Sequence, residues 1–121
     1  MDNLQKDKKG ADNERTYFGG VPSFFRGCVI EASYGGSGGY KVAGWHLALS
    51  VRGLLERYTE EDEEEQKIAE LKDALTDGSD QSVIAWFKRE FPACMKLVPA
   101  RRRIQFVQGI RDAHEEDRLL A

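Results

Sequence analysis

Three observations predict an all-α fold, a small irregular bundle of four to five helices. Apolar residues recur at helical spacing in several successive segments. Capping residues and helix breakers fall between those segments, at Thr59, Gly78, Ser79, Pro92 and Pro99. The segments fill residues 23–116 and leave only short links, which is the pattern of a bundle.

The first element follows Pro22-Ser23. Phe24, Phe25, Cys28, Val29 and Ala32 make a helical stripe, with Ser23 as N-cap and Gly35-Gly36 as the stop. A strand competes here, because Cys28, Ile30, Ala32 and Tyr34 also alternate. The alternative fold is therefore α+β, with a short hairpin within 17–44. Residues 35–39, Gly-Gly-Ser-Gly-Gly, read as a flexible loop flanked by Tyr34 and Tyr40. An adaptable binding loop with those two tyrosines as aromatic contacts is the functional version of the same stretch.

The second helix is predicted over about 44–58, from Leu47, Val51, Leu54, Leu55 and Tyr58. Trp45, Ala48 and Leu49 widen its apolar face and make it a central element. Thr59 with Asp62 resembles a capping box for a third helix. The acidic run from Glu60 to Glu65 sits in its first turns, where the helix dipole favours negative charge. Ile68, Leu71 and Leu75 form a narrow stripe, and Gly78 closes it as a C′ glycine. Ser79 or Asp80 caps a fourth helix, carried by Val83, Ile84, Trp86, Phe87 and Phe91 and stopped at Pro92. Residues 92–98 read as a connection. Pro99 suits the first turn of a last helix. Ile104, Phe106, Val107, Ile110 and Ala113 are its expected buried side, with Gly109 permitting close packing.

The length of 121 residues suits one domain, expected at 16–121, preceded by a mobile polar arm at 1–15. Lys+Arg of 18 against Asp+Glu of 21 leaves a net charge of -3, which excludes a strongly basic nucleic-acid coat. No apolar run reaches the roughly 18 residues that would span a membrane. The first fifteen residues carry no apolar core of a secretory signal, so a soluble cytoplasmic protein is expected. Cys28 and Cys94 give neither a disulfide framework nor metal-ligand spacing. With His46 and His114 they could form a thiol or zinc site only by chance of folding. Glycine-rich nucleotide-binding patterns fail, because Lys41 does not stand where a phosphate loop needs it. No catalytic residue, cofactor or metal is expected, and the chain is read as a non-enzyme.

Charge segregation is the remaining signal. Residues 61–80 hold nine acids against Lys67 and Lys72. Residues 82–112 hold seven cations (Lys88, Arg89, Lys96, Arg101, Arg102, Arg103 and Arg111) against Glu90 and Asp112. Three arginines at a helix start oppose the helix dipole, so local stability does not ask for them. Either they pair internally with the acidic 60–65 run or stay solvated, or they serve a partner.

The leading expectation is an interaction module that docks a protein or nucleoprotein complex through opposite surfaces. Arg101, Arg102 and Arg103 form its basic contact; Glu61, Glu63, Glu64 and Glu65 form its acidic one. Its concrete form is a small inhibitor or adaptor. Short, mildly acidic, motif-poor chains are common among phage and mobile-element proteins, including anti-CRISPR inhibitors of bacterial defence. The alternative is a small nucleic-acid-binding regulator using Lys88, Arg89, Lys96, Arg101, Arg102 and Arg103.

Overall fold

The structure, a computed structural model, describes residues 20–35 and 39–116. The expected arm at 1–15 lies outside the described residues, as do 16–19, 36–38 and 117–121 of the expected domain. The described residues form six α-helices and no strand. They are α1 (Ser23–Ser33), α2 (Gly39–Tyr58), α3 (Glu61–Asp77), α4 (Asp80–Glu90), α5 (Pro92–Lys96) and α6 (Arg103–Glu115). A 3₁₀ turn (Ala100–Arg102) leads into α6. The fold is all-α; the alternative hairpin is ruled out for the described part of 17–44, where 23–33 and 39–44 are helical.

Several boundaries differ from the sequence reading, each for a local reason. Pro22 is the N-cap of α1, with an extended backbone, and its carbonyl accepts from Phe25 and Arg26. Ser23 is thus the first helical residue. Gly35 ends α1 as expected, with φ +82° and its N–H on Ala32 O. α2 begins at Gly39, five residues earlier than predicted, because Tyr40 and Ala43 are buried and continue its apolar face. Glu60 is the N-cap of α3, without a side-chain cap bond; the Thr59 hydroxyl donates back to Leu55 O instead. Gly78 has an extended backbone, so its role is space: a Cβ there would lie 2.7 Å from Ala74 O.

Ser79 caps α4 by accepting from Ser82 N, as predicted. Phe91, held out of the helical region by Pro92, breaks the chain direction at φ -132°, ψ 60°. Pro92 then starts α5 rather than merely stopping α4, which adds a helix to the expected count. Pro99 sits at the N-cap of the 3₁₀ turn, one short element before the last helix.

One aromatic chain ties three helices together. Phe106 of α6 meets Phe25 of α1 and Phe87 of α4 edge-on, at centroid separations of 6.2 and 5.7 Å. Phe87 also touches Trp86 and Phe91. Such pairs add about 0.5–1.5 kcal/mol beyond area burial. Trp86 is buried, and its indole N–H donates to Lys67 O, so α4 is pinned to α3 without an unpaired polar atom.

The most extensive interface joins α2 to α6. Two glycines make it possible. A Cβ on Gly44 would fall onto the carbonyl of Phe106, 2.9 Å from its carbon. A Cβ on Gly109 would fall onto the carbonyl of Lys41 and 2.8 Å from Trp45 N. The facing atoms are backbone and cannot swing away. Each glycine thus points a Cα–H at a carbonyl of the other helix, a weak but favourable contact.

Gly44→Ala or Gly109→Ala should therefore destabilise the fold by about 1–3 kcal/mol through overpacking. Gly53 lies exposed in α2 with open space at its Cβ position. Gly53→Ala should instead stabilise by about 0.5–1 kcal/mol through helix propensity. Urea unfolding midpoints of the three variants check both signs.

Candidate interaction surface

The charged side chains divide into those engaged within the fold and those left over. Arg52 of α2 reaches Glu64 and Glu65 of α3 at 3.2 and 2.9 Å. The Glu64 side chain is only 8% exposed, so its charge depends on that arginine. Lys67 pairs with Glu90 at 2.8 Å, and Arg89 bridges Glu70 and Glu90, both at 2.8 Å. These pairs fasten α3 to α4.

Arg111 does two jobs. It donates to Leu75 O at 2.9 Å, satisfying a carbonyl in the last turn of α3. It also pairs with Asp80 at the start of α4. Lys41 pairs with Asp112 at 3.2 Å beside the α2–α6 contact. The Gln108 amide donates to the same carboxylate and, with Lys41, holds it below the ordinary range. Trp45 extends the seam, donating to Glu116 at 3.1 Å.

Arg101, Arg102 and Arg103 are different. Among the described residues none of them forms an ion pair, with the acidic run or with anything else. Arg101 and Arg102 are exposed on the 3₁₀ turn. Arg103 is partly buried, and its Nε is buried without a hydrogen-bond partner among the described residues. An unmet buried donor costs about 1–3 kcal/mol, more when charged.

The acidic half of the expected interface is less uniform. Glu61 and Glu63 are exposed. Glu65 is exposed but bound to Arg52, and Glu64 is inside the fold. Of the alternative nucleic-acid set, Lys88 and Lys96 are exposed on α4 and α5 without an ion pair among the described residues. Arg89 is held by Glu70 and Glu90.

Ile104 overturns an expectation. It was assigned to the buried side of α6, yet it is 68% exposed. Each helical residue turns about 100°, so position 104 lies about 200° from Phe106, on the opposite side from the core. That angle could have been read from the sequence. Ile104 is therefore a large apolar side chain at the surface, directly after three arginines that have no ion pair among the described residues.

No other cluster competes. Among the described residues no group of His, Cys, Asp and Glu could hold a metal ion. Cys94 is buried, and burial pushes its thiol up to about 12, so it is no nucleophile at neutral pH. Cys28 is likewise raised, by partial burial and then by Glu31. His46 stacks edge-on against Trp45, and His114 is half-buried in the last turn of α6. Tyr40 is buried, so of the two loop tyrosines only Tyr34 is exposed. No described helix is long and apolar enough to cross a membrane. Comparison with known protein families, curated proteins and solved structures finds no match.

The engaged and free arginines should separate in stability measurements. Arg111→Ala should cost about 1–3 kcal/mol, because a buried carbonyl and Asp80 lose their partner. Arg101→Glu with Arg102→Glu should change stability by less than about 1 kcal/mol, and in the stabilising direction, since acids suit a helix start. Thermal and urea unfolding followed by circular dichroism test the pair.

Proposed function

We propose that this chain is a non-enzymatic interaction module that docks an acidic protein surface through Arg101, Arg102 and Arg103. One contrast carries the reading. Arg52, Lys67, Arg89 and Arg111 are engaged by carboxylates of the fold, whereas these three consecutive arginines have no such partner among the described residues. They also oppose the dipole of α6 and, among the described residues, leave the buried Nε of Arg103 unmet. A cost kept at one place, with no benefit inside the fold, fits a benefit gained from a partner. Arginine is suited to that work, because its planar fork binds carboxylates in two parallel bonds.

The exposed Glu61 and Glu63 supply a second, opposite patch that would orient the encounter. The concrete form of the module is a cytoplasmic inhibitor or adaptor. It would cover an acidic surface of a protein or nucleoprotein complex, as a phage or mobile-element inhibitor of bacterial defence does. The nucleic-acid reading has one observation in its favour, the free Lys88 and Lys96. The engaged Arg89 and the net charge of -3 weigh against it.

Fluorescence anisotropy decides between the two. Labelled polyglutamate, duplex DNA and single-stranded RNA are titrated with the protein at about 50 and 200 mM salt. The proposal expects polyglutamate binding that weakens with salt and disappears in the Arg101→Glu, Arg102→Glu variant. It expects no nucleic-acid binding at the higher salt. Arginine-dependent nucleic-acid binding that exceeds polyglutamate binding would transfer the face to the second reading. Binding of neither probe would overturn both.

A further inference from the structure

We infer that the partner segment is an acidic peptide stretch carrying a large apolar side chain, which seats on Ile104 while its carboxylates meet Arg101 and Arg102. This rests on the proposed docking role and narrows its partner. Charge alone would not need Ile104. A solvated helix face opposite the core calls for a polar residue, and Gln105 and Gln108 supply that nearby. Ile104 instead leaves most of an isoleucine in water.

Its placement gives that exposure a use. Arg101 stands three residues before Ile104, about one turn away, so both belong to one side of the element. Arg102 is exposed on the same turn. Arg103 is partly buried, its Nε without a partner among the described residues. An apolar side chain with an exposed arginine one turn away, and further cations next to it in the chain, has the composition of a small protein-recognition patch, an apolar centre with a polar rim. It fits an acidic segment by charge and its apolar residue by contact. A phosphate backbone matches the arginines only and would leave Ile104 in water. The other exposed large apolar side chains are Phe24, Ile30, Tyr34 and Tyr58, and none of them follows a run of three arginines in the chain.

Two short labelled peptides test the assignment, identical in their glutamates and differing only in a central leucine or serine. Expected is about tenfold tighter binding of the leucine peptide, the scale of one partly buried aliphatic side chain. Ile104→Ser should erase that ratio yet keep the weaker, salt-dependent binding common to both peptides. Arg101→Glu with Arg102→Glu should remove binding of both. Both changes lie at exposed positions, and unchanged circular dichroism confirms the fold. Equal binding of the two peptides by the parent protein would overturn this inference and leave the docking role intact. A leucine preference that survives Ile104→Ser would overturn it too, by placing the anchor elsewhere. Binding of neither peptide at low salt would overturn the docking role itself.

Discussion

Backbone contact between α2 and α6 at Gly44 and Gly109 is the constraint on which the rest of the fold depends. The positions where side chains would begin are occupied by carbonyls of the facing helix. The two helices can therefore meet at backbone distance, and nothing larger than hydrogen fits. This contact places Phe106 where α1 and α4 can both reach it. It also brings Lys41 to Asp112 and Trp45 to Glu116 along one seam. The start of α6 is thus carried on the most extensive interface between helices, with Arg103 in the helix and Arg101 and Arg102 on the 3₁₀ turn before it.

Electrostatics then sort the surface. Part of the α3–α4 side is internally matched, from Arg52 with Glu64 to Arg89 with Glu70 and Glu90, while Glu61, Glu63 and Lys88 stay exposed without an ion pair among the described residues. The most exposed of these pairs, Arg89 with Glu70, contributes little stability, but each pairing removes charge that a partner could otherwise meet. Arg111 binds the end of α3 to the beginning of α4, so even a cation inside the basic segment is structural. The residue count of that segment overstated its free charge. The cations without an ion pair among the described residues include Lys88, Lys96 and the run 101–103, and that run stands next to an isoleucine that the core does not use.

Much of the fold was legible because periodicity is a direct consequence of burial. Val51, Leu55, Leu71, Val83, Phe87 and Ile110 all stand on predicted stripes and are all buried. Ser79 and Gly109 were legible because a hydroxyl cap and a missing side chain have single obvious uses. Boundaries were less so. Gly39 opens a helix inside a glycine-rich stretch because Tyr40 and Ala43 gain burial, a tertiary effect that local propensity does not carry. Gly78 and Thr59 have the right residue type for caps and a different role, since the competing bond or contact lies in three dimensions. At the candidate surface, the arginine run was visible, but which cations were free was not. Arg52 contacts Glu64 and Glu65, and Arg111 contacts Asp80, across separations that no pattern in the chain announces. Ile104 was misplaced although a count of turns from Phe106 puts it outside.

Arg101 and Arg102 have no partner among the described residues, whereas Arg89 and Arg111 are engaged. Nitrogen-edited NMR of the arginine Nε–H groups tests this contrast most directly, because hydrogen-bonded Nε–H groups exchange slowly with water and free ones do not. Arg89 donates through Nε to Glu90, and Arg111 through Nε to Asp80. The account predicts slow exchange for Arg89 and Arg111 and fast exchange for Arg101 and Arg102. Slow exchange at Arg101 and Arg102 in the isolated protein would show that they are engaged within the molecule, and would contradict it.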